Sequence, residues 1–395
     1  MQGEFDREMA AVRAYLDYNA SAPLLAAARE AVVAALDVAA NPSSVHGEGR
    51  AARRVIEDAR RQVAALVNAQ PQHVVFTSGA TEAATTLLVP DWQMGKAPLR
   101  MGRLYVSTAD HPCLLGGGRF PTDQVTRIGV DRDGLLDLDE LAVALAAHDK
   151  GAGLALVAVH AANNETGVVQ PLEEIASVVK AAGGVLVLDA VQAAGRIPLD
   201  MSKLCADYLI LSAHKMGGPK GVGAIVAAAD LMMPRPLVTG GGQEKGHRGG
   251  TENLAGIAGL GAAAAAALEG LASIADVRAL RDRFEAVVLE LVPDAVIFGR
   301  AAPRLANTSF FAIPGLKAET AQIAFDLAGV ALSAGSACSS GKVGASHVLT
   351  AMGFDEIQGA LRVSIGQATD THDLELFRSA LAGIASRRSG GSRAA

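Results

Sequence analysis

From about residue 50 to 230 the chain alternates short apolar runs with helix-periodic stretches, and this alternation restricts its fold more than any other feature. Residues 50–68 place Val55, Ala59, Val63 and Leu66 at helical spacing. Residues 73–76, 104–107, 154–159, 184–188, 208–211 and 224–228 read as buried strands. Strands separated by helices predict βαβ units, hence an α/β fold with a parallel sheet covered on both faces. In such a sheet a ligand sits outside the carboxyl ends of the strands. Here the strands are followed by Thr77-Ser-Gly-Ala-Thr81, Asp110-His111, Asn163-Asn-Glu165, Asp189 and His214-Lys215. Polar and ionisable residues therefore gather at one end of the sheet, a preference that scattered surface polarity would not show.

A chain of 395 residues exceeds one small core and predicts a larger and a smaller unit. After glycine-rich residues 240–250 and an alanine-rich helix the pattern changes near residue 270. The remainder reads as an α+β unit with strands near 306–312 and 361–365, and the Ser/Gly/Arg-rich end from 387 is expected to be a disordered tail. No internal repeat is visible. The net charge is −6 and no long basic run occurs, so nothing points to nucleic acid or an anionic membrane surface. Residues 1–15 lack a signal-like apolar run, and apolar stretches such as 261–268 read as too short to span a bilayer. Three cysteines, Cys113, Cys205 and Cys338, are too few and scattered for a disulfide framework or a zinc cluster. The expectation is a cytoplasmic protein with free thiols and no metal site.

Ser212-Ala-His-Lys215 ends an apolar strand. A lysine at a buried strand end is costly unless paired, neutralised or used covalently, and lysine forms Schiff bases with aldehydes such as pyridoxal phosphate. A solvated loop lysine is the ordinary alternative, which the tight Gly217-Gly-Pro-Lys-Gly-Val-Gly223 run disfavours. Val185-Leu-Val-Leu-Asp189 ends in an aspartate 26 residues before Lys215, about one βαβ unit away. It reads as a helix N-cap or as a partner for a pyridinium nitrogen. Ser78-Gly-Ala-Thr81-Glu82 opens a helix with free N–H groups, either an ordinary cap or a phosphate site. His111 follows another strand, either as a satisfied polar residue or stacked on a flat cofactor.

These blocks together resemble the cysteine desulfurases of the NifS/IscS type within the class V aminotransferases. The resemblance runs from Tyr15-Leu-Asp-Tyr-Asn-Ala20 to about Ile365. Its marks are Asn41-Pro-Ser-Ser-Val-His46, Thr77-Ser-Gly-Ala-Thr-Glu82, Asn163-Asn-Glu-Thr-Gly167, Asp189-Ala-Val-Gln192, Ser212-Ala-His-Lys-Met-Gly-Gly-Pro-Lys-Gly221, Gly240-Gly-Gly-Gln-Glu-Lys-Gly246 with Gly250-Thr251, and Ser336-Ala-Cys338. It implies a fold type I pyridoxal-phosphate enzyme with a mostly parallel seven-stranded sheet. The large domain would cover 16–265, the small α+β domain 1–15 and 266–388, with 389–395 a disordered tail. Lys215 would carry the cofactor, Asp189 would pair its ring nitrogen and His111 would stack on the ring. Asn164 and Gln192 would sit at the ring hydroxyl, and Ala80, Thr81, Ser212 and His214 at the phosphate. Thr251 would complete the site of a second copy, making a homodimer. Asn41 and Arg362 would bind the substrate carboxylate, for which a guanidinium fork is suited.

Cys338 lies in Ser333-Ala-Gly-Ser-Ala-Cys-Ser-Ser-Gly-Lys-Val-Gly344, a composition suited to a mobile loop carrying a reactive thiol. Cys113 and Cys205 lack that setting and read as structural. The implied reaction converts L-cysteine to L-alanine, leaves the sulfur on Cys338 as a persulfide, and passes it to an acceptor protein for iron–sulfur cluster or other sulfur-cofactor assembly. The chain departs from the family pattern at Ala83-Ala-Thr-Thr86 and at Gln367, the latter expected beside the carboxylate contacts. The rivals are a selenocysteine lyase, a cysteine C–S lyase, an aminotransferase and a non-catalytic sulfur-assembly scaffold. A mobile thiol is superfluous to the lyase and aminotransferase, and a scaffold has no need of Lys215, Asp189 and Cys338 together. A nucleotide-binding module is disfavoured, since no strand is followed by G-x-G-x-x-G with an acid at the required distance.

Overall fold

The computed structural model describes residues 13–335, 346–357 and 359–391, so Cys338 and most of its expected loop lie outside the described residues. A short strand β1 (Ala14–Tyr15) precedes the helices Ala26–Leu36 and Gly47–Leu66. The large sheet is built from β2 (Val74–Thr77), β3 (Asp91–Met94), β4 (Ala97–Ser107), β5 (Val125–Ile128), β6 (Leu154–His160), β7 (Val185–Asp189), β8 (Tyr208–Ser212), β9 (Gly223–Ala227) and β10 (Met232–Pro234). Its order is β10-β3-β4-β6-β7-β8-β9-β2, with β5 also on β4. Parallel pairing joins β5, β4, β6, β7 and β8, while β9 runs antiparallel to both β8 and β2.

The sheet has nine strands rather than seven. The additions are β3, a hairpin partner of the extended start of β4, and β10 paired with β3, both antiparallel. The sequence hides β3 because only Trp92 of its four residues is buried. In the middle of the sheet both faces are covered, and alternate residues of one strand enter different cores. Leu209 and Leu211 of β8 pack with Ile56, Val63 and Ile175, whereas Tyr208 and Ile210 pack with Leu87, Val106 and Val187. Two buried faces explain why these strands read as continuous apolar runs.

The second sheet contains β11 (Val296–Ile297), β12 (Thr308–Ala312), β14 (Ser333–Ala334) and β15 (Leu361–Ser364) in the order β11-β12-β15-β14. A separate strand, β13 (Val330–Ala331), pairs in parallel with β1. Leu16, Phe284, Phe311, Phe325, Val363 and Phe377 fill a core of their own beside this sheet.

Two expectations need correction. Leu254–Leu291 is long and apolar enough, by length and composition, to cross a membrane. In the fold its first part buries Ile257, Leu260, Ala263 and Ala264 and packs on the helices Ala26–Leu36 and Gly47–Leu66. Of that apolar stretch, 39% is buried inside the chain. The terminal helix Thr371–Gly391 also continues past residue 387, where a tail was expected to begin. Arg388 ties it down through an ion pair with Asp294.

Candidate active site

The carboxyl ends of the parallel strands open onto a cavity of about 460 Å³. Ala80, Thr81, His111, Asn164, Asp189, Gln192, Ser212, His214 and Lys215 all line it, which is every expected cofactor-binding residue except Thr251. Strand register brings them together. His160 faces Asp189 across β6 and β7, and Gly223 of β9 faces Ser212 on one side and Thr77 on the other. A Cβ on Gly223 would lie 2.6 Å from the Leu211 carbonyl oxygen and 2.8 Å from the Gly79 Cα. Glycine therefore lets the turn before the helix Ala80–Leu87 close onto β9, which brings that helix N-terminus to the cavity wall. Ser78 and Lys220 line the same cavity.

The charges are arranged unusually. Asp189 is buried, with Oδ1 accepting the Val191 N–H at 3.0 Å and the Cys113 thiol 3.9 Å from Oδ2. Burial pushes its carboxyl up to about 6, and among the described residues it forms no ion pair. Lys215 Nζ donates to the main-chain oxygens of Asn19 at 2.6 Å and Ala20 at 2.9 Å. His111 Nδ1 accepts the Cys113 N–H at 3.2 Å, which leaves Nε2 to carry the ring proton in the neutral form. Burial and then the Lys215 charge push His111 down to about 4, so its ring is uncharged at neutral pH. Burial and the lysines nearby likewise push His214 down to about 4.

Behind the cavity stands Asn19, fully buried. Its Nδ2 donates to the Asn164 carbonyl at 3.1 Å and to Thr308 Oγ1 at 2.9 Å, and its Oδ1 accepts from Arg196 and Asn307. Its main-chain oxygen accepts from Gln192 at 2.9 Å as well as from Lys215. Arg196 also donates to the Gln192 side chain and to the Lys215 carbonyl. One asparagine and one arginine thus brace both Gln192 and Lys215. The block containing Asn19 was visible in the sequence, but its role needed the fold.

Other expected positions lie apart from this cavity. Asn41 and Thr251 are exposed and do not line it. Arg362 is 2% exposed and donates to Asp17 and to the Asn164 carbonyl, while among the described residues its Nε has no hydrogen-bond partner. Gln367, expected near the carboxylate contacts, instead donates to the Gly270 carbonyl and the Ser273 hydroxyl. Cys205 is exposed, and Cys113 packs against the core under the sheet while also lining the cavity beside Asp189. Burial, then the Asp189 and Asp110 charges, push the Cys113 thiol up and keep it protonated. Sequence reasoning also missed the buried pair of His160 Nδ1 and Asp110 at 2.5 Å.

Residues 14–377 match the family described as Aminotransferase class-V. A protein of Cereibacter sphaeroides named cysteine desulfurase is 40% identical over 371 residues, covering 92% of this chain and 93% of that protein. The solved NifS-like protein of Rickettsia africae superposes with a TM-score of 0.82 at 30% identity, covering 94% of this chain and 99% of that one. SspA, solved in complex with cysteine, gives a TM-score of 0.72 at 29% identity, covering 89% of this chain and 98% of that one. Class V aminotransferases are pyridoxal-phosphate enzymes, and by the extent of these matches the chain belongs to that family, among relatives named cysteine desulfurase.

Proposed function

We propose that the protein is a pyridoxal-phosphate-dependent cysteine desulfurase of the cytoplasm, working as a homodimer. It converts L-cysteine to L-alanine and receives the sulfur on Cys338. The observation that carries this reading is the single cavity in which Lys215, Asp189 and His111 meet from three strand ends. A large unit (16–265) holds the cofactor and a smaller one (1–15 and 266–388) carries Cys338.

The residues present fit the cofactor. A buried carboxylate with no ion pair calls for a cationic hydrogen-bond donor, and a protonated ring nitrogen supplies one to Asp189. The neutral His111 suits a ring face, Asn164 and Gln192 the ring hydroxyl, and Lys215 the aldehyde carbon. Ala80 and Thr81 at a helix N-terminus, with Ser212 and His214, suit the phosphate. Thr251, exposed on one chain, is available to complete the site of a second copy. When bound, pyridoxal phosphate withdraws electrons from the substrate α-carbon and so activates the β-sulfur.

Lys215 Nζ takes and returns the α-proton. Arg362 and Asn41, which lie apart from the cavity within one chain, are the residues assigned to the substrate carboxylate. His111 carries its proton on Nε2 and stays uncharged, so it does not repel the ring. The Cys338 thiolate attacks the substrate sulfur: an S–S bond forms, the C–S bond breaks with its electron pair left on carbon, and a proton completes alanine. No external oxidant is needed, and Cys338 ends as a persulfide that passes its sulfur to an acceptor protein building iron–sulfur clusters or other sulfur cofactors.

The test is to incubate the purified holoenzyme with L-cysteine and a reductant and to assay alanine and sulfide together. Equal amounts are expected from the wild type. Lys215→Ala should lose the cofactor chromophore and slow turnover about 10²–10⁴-fold. Cys338→Ser should keep the chromophore and lose both products. Sulfide release by Cys338→Ser would instead make the enzyme a C–S lyase. A strong preference for selenocysteine would make it a selenocysteine lyase.

A further inference from the structure

Glu165 follows β6 in the turn Asn163-Asn-Glu165 and is 2% exposed, yet none of the steps above uses it. Its Oε2 accepts the Ser346 hydroxyl at 2.6 Å. The same hydroxyl accepts the Leu349 N–H at 3.2 Å, capping the helix His347–Ala351. Gly335, just after β14, packs on the same carboxylate: a Cβ there would lie 2.6 Å from the Phe310 ring and 3.0 Å from Glu165 Oε2. Gly335 and Ser346 are the described residues flanking 336–345, the stretch that contains Cys338. One carboxylate oxygen is therefore bonded to one end of that stretch and lies near the other, although 181 positions separate Glu165 from Ser346.

The surroundings suit a hydrogen-bonding role better than an ion pair. Burial pushes the Glu165 carboxyl up to about 7, against the Ser346 hydrogen bond and the Arg362 charge. That guanidinium is itself bound to Asp17 at 2.8 Å and to the Asn164 carbonyl at 2.9 Å. A buried acid without an ion pair costs stability, and an apolar side chain would fill the space more cheaply. The helix that Ser346 caps begins with His347, whose Nε2 lies 2.9 Å from the Asp110 carbonyl oxygen. The Glu165–Ser346 contact thus ties the far side of the Cys338 segment to the wall of the cavity.

We propose that Glu165 is a positioning residue for sulfur transfer. Through the Ser346 hydroxyl and its packing on Gly335 it sets the two ends between which Cys338 is carried, and so the approach of that thiol to the substrate sulfur. The proposal rests on the reading of Cys338 as sulfur acceptor. Glu165 acts through these neighbours and touches neither substrate nor cofactor.

The test compares the holoenzyme with Glu165→Gln, Glu165→Ala, Ser346→Ala and Cys338→Ser. Misplacing a reacting group costs rate more than binding, so Glu165→Ala should lower kcat for alanine formation about tenfold. Its KM for L-cysteine should stay within about twofold and its cofactor spectrum should not change. Glu165→Gln keeps an acceptor for the Ser346 hydroxyl and should hold kcat within about twofold of wild type. Ser346→Ala should slow turnover in the same direction, and its effect should not add to that of Glu165→Ala, because both remove one contact. A readout independent of turnover is iodoacetamide alkylation of Cys338, followed by peptide mass to separate it from Cys113 and Cys205. Its rate should change in Glu165→Ala and Ser346→Ala and be restored in Glu165→Gln. Wild-type kcat and alkylation in Glu165→Ala overturn the proposal, as does an equal loss in Glu165→Gln or a change carried by KM and the cofactor spectrum. Should Glu165→Ala not fold, wild-type behaviour of Ser346→Ala overturns it. Persistent sulfide release by Cys338→Ser would instead overturn the reading of Cys338, whatever the Glu165 variants do.

Discussion

Glu244 and Glu165 are both buried, and their surroundings differ in kind. Beside β2, Glu244 meets Arg60 through two hydrogen bonds of 2.7 and 2.8 Å and accepts the Phe76 N–H at 2.9 Å. Arg60 also lies over the Phe76 ring, 4.8 Å from its centre. This pair holds the segment Gln243–Gly246, where Glu244 and Lys245 both adopt a left-handed backbone. Glu165, at the junction with the second sheet, faces a hydroxyl and holds a raised pKa. Asp189 in the cavity resembles Glu165 rather than Glu244, with a main-chain N–H and a thiol as its partners. The difference separates two uses of a buried acid. Paired with a base it fixes architecture. Without one it burdens the fold but remains available to bind or to position, as is common at functional sites.

Breaking the architectural pair should have the largest effect. Arg60→Ala or Glu244→Ala leaves a buried charge alone and should cost about 3–5 kcal/mol in denaturant unfolding. A cost below about 1 kcal/mol would remove the contrast with Glu165. The next effect is pH-dependent and of opposite sense. A carboxyl raised to about 7 by burial contributes fully to stability below its unfolded pKa near 4, and that contribution is lost as the pH rises through 7. Glu165→Gln does not titrate, so between pH 5 and 8 it should gain on the wild type by about 2–3 kcal/mol, read from unfolding at each pH. Asp189→Asn in the cofactor-free protein should follow the same sign with a lower window, since Asp189 is raised to about 6. Its gain, accrued between about pH 4 and 6, should be about 3 kcal/mol, accompanied by weaker pyridoxal-phosphate binding. Flat pH profiles for both would place them with Glu244.

The parallel sheet and its catalytic end were legible because both signals are local. An apolar run followed by a polar residue names a strand and its carboxyl end, and Asp189, His111 and Lys215, which line one cavity, all follow such runs. The strands β3 and β10 were not legible, since β3 buries only Trp92 and gains its place from a hairpin and one further pairing. The bracing of the site was equally hidden. Asn19 reaches Lys215 across 196 positions and Arg362 reaches Asp17 across 345, and no periodicity records such partners. The place of Cys113 beside Asp189 was hidden too, because the two are 76 positions apart.

By itself the sequence determined the α/β class, the end of the sheet where the cavity opens and the residue types gathered there, through the order of strands, helices and turns. Only the tertiary structure decided which buried acids are paired, which residues brace Lys215 and Gln192, and that Glu165 binds Ser346 beside the segment bearing Cys338. The physical reason is range: secondary-structure preferences act over a few residues, whereas burial and hydrogen-bond partners depend on which distant segments the folded chain brings together.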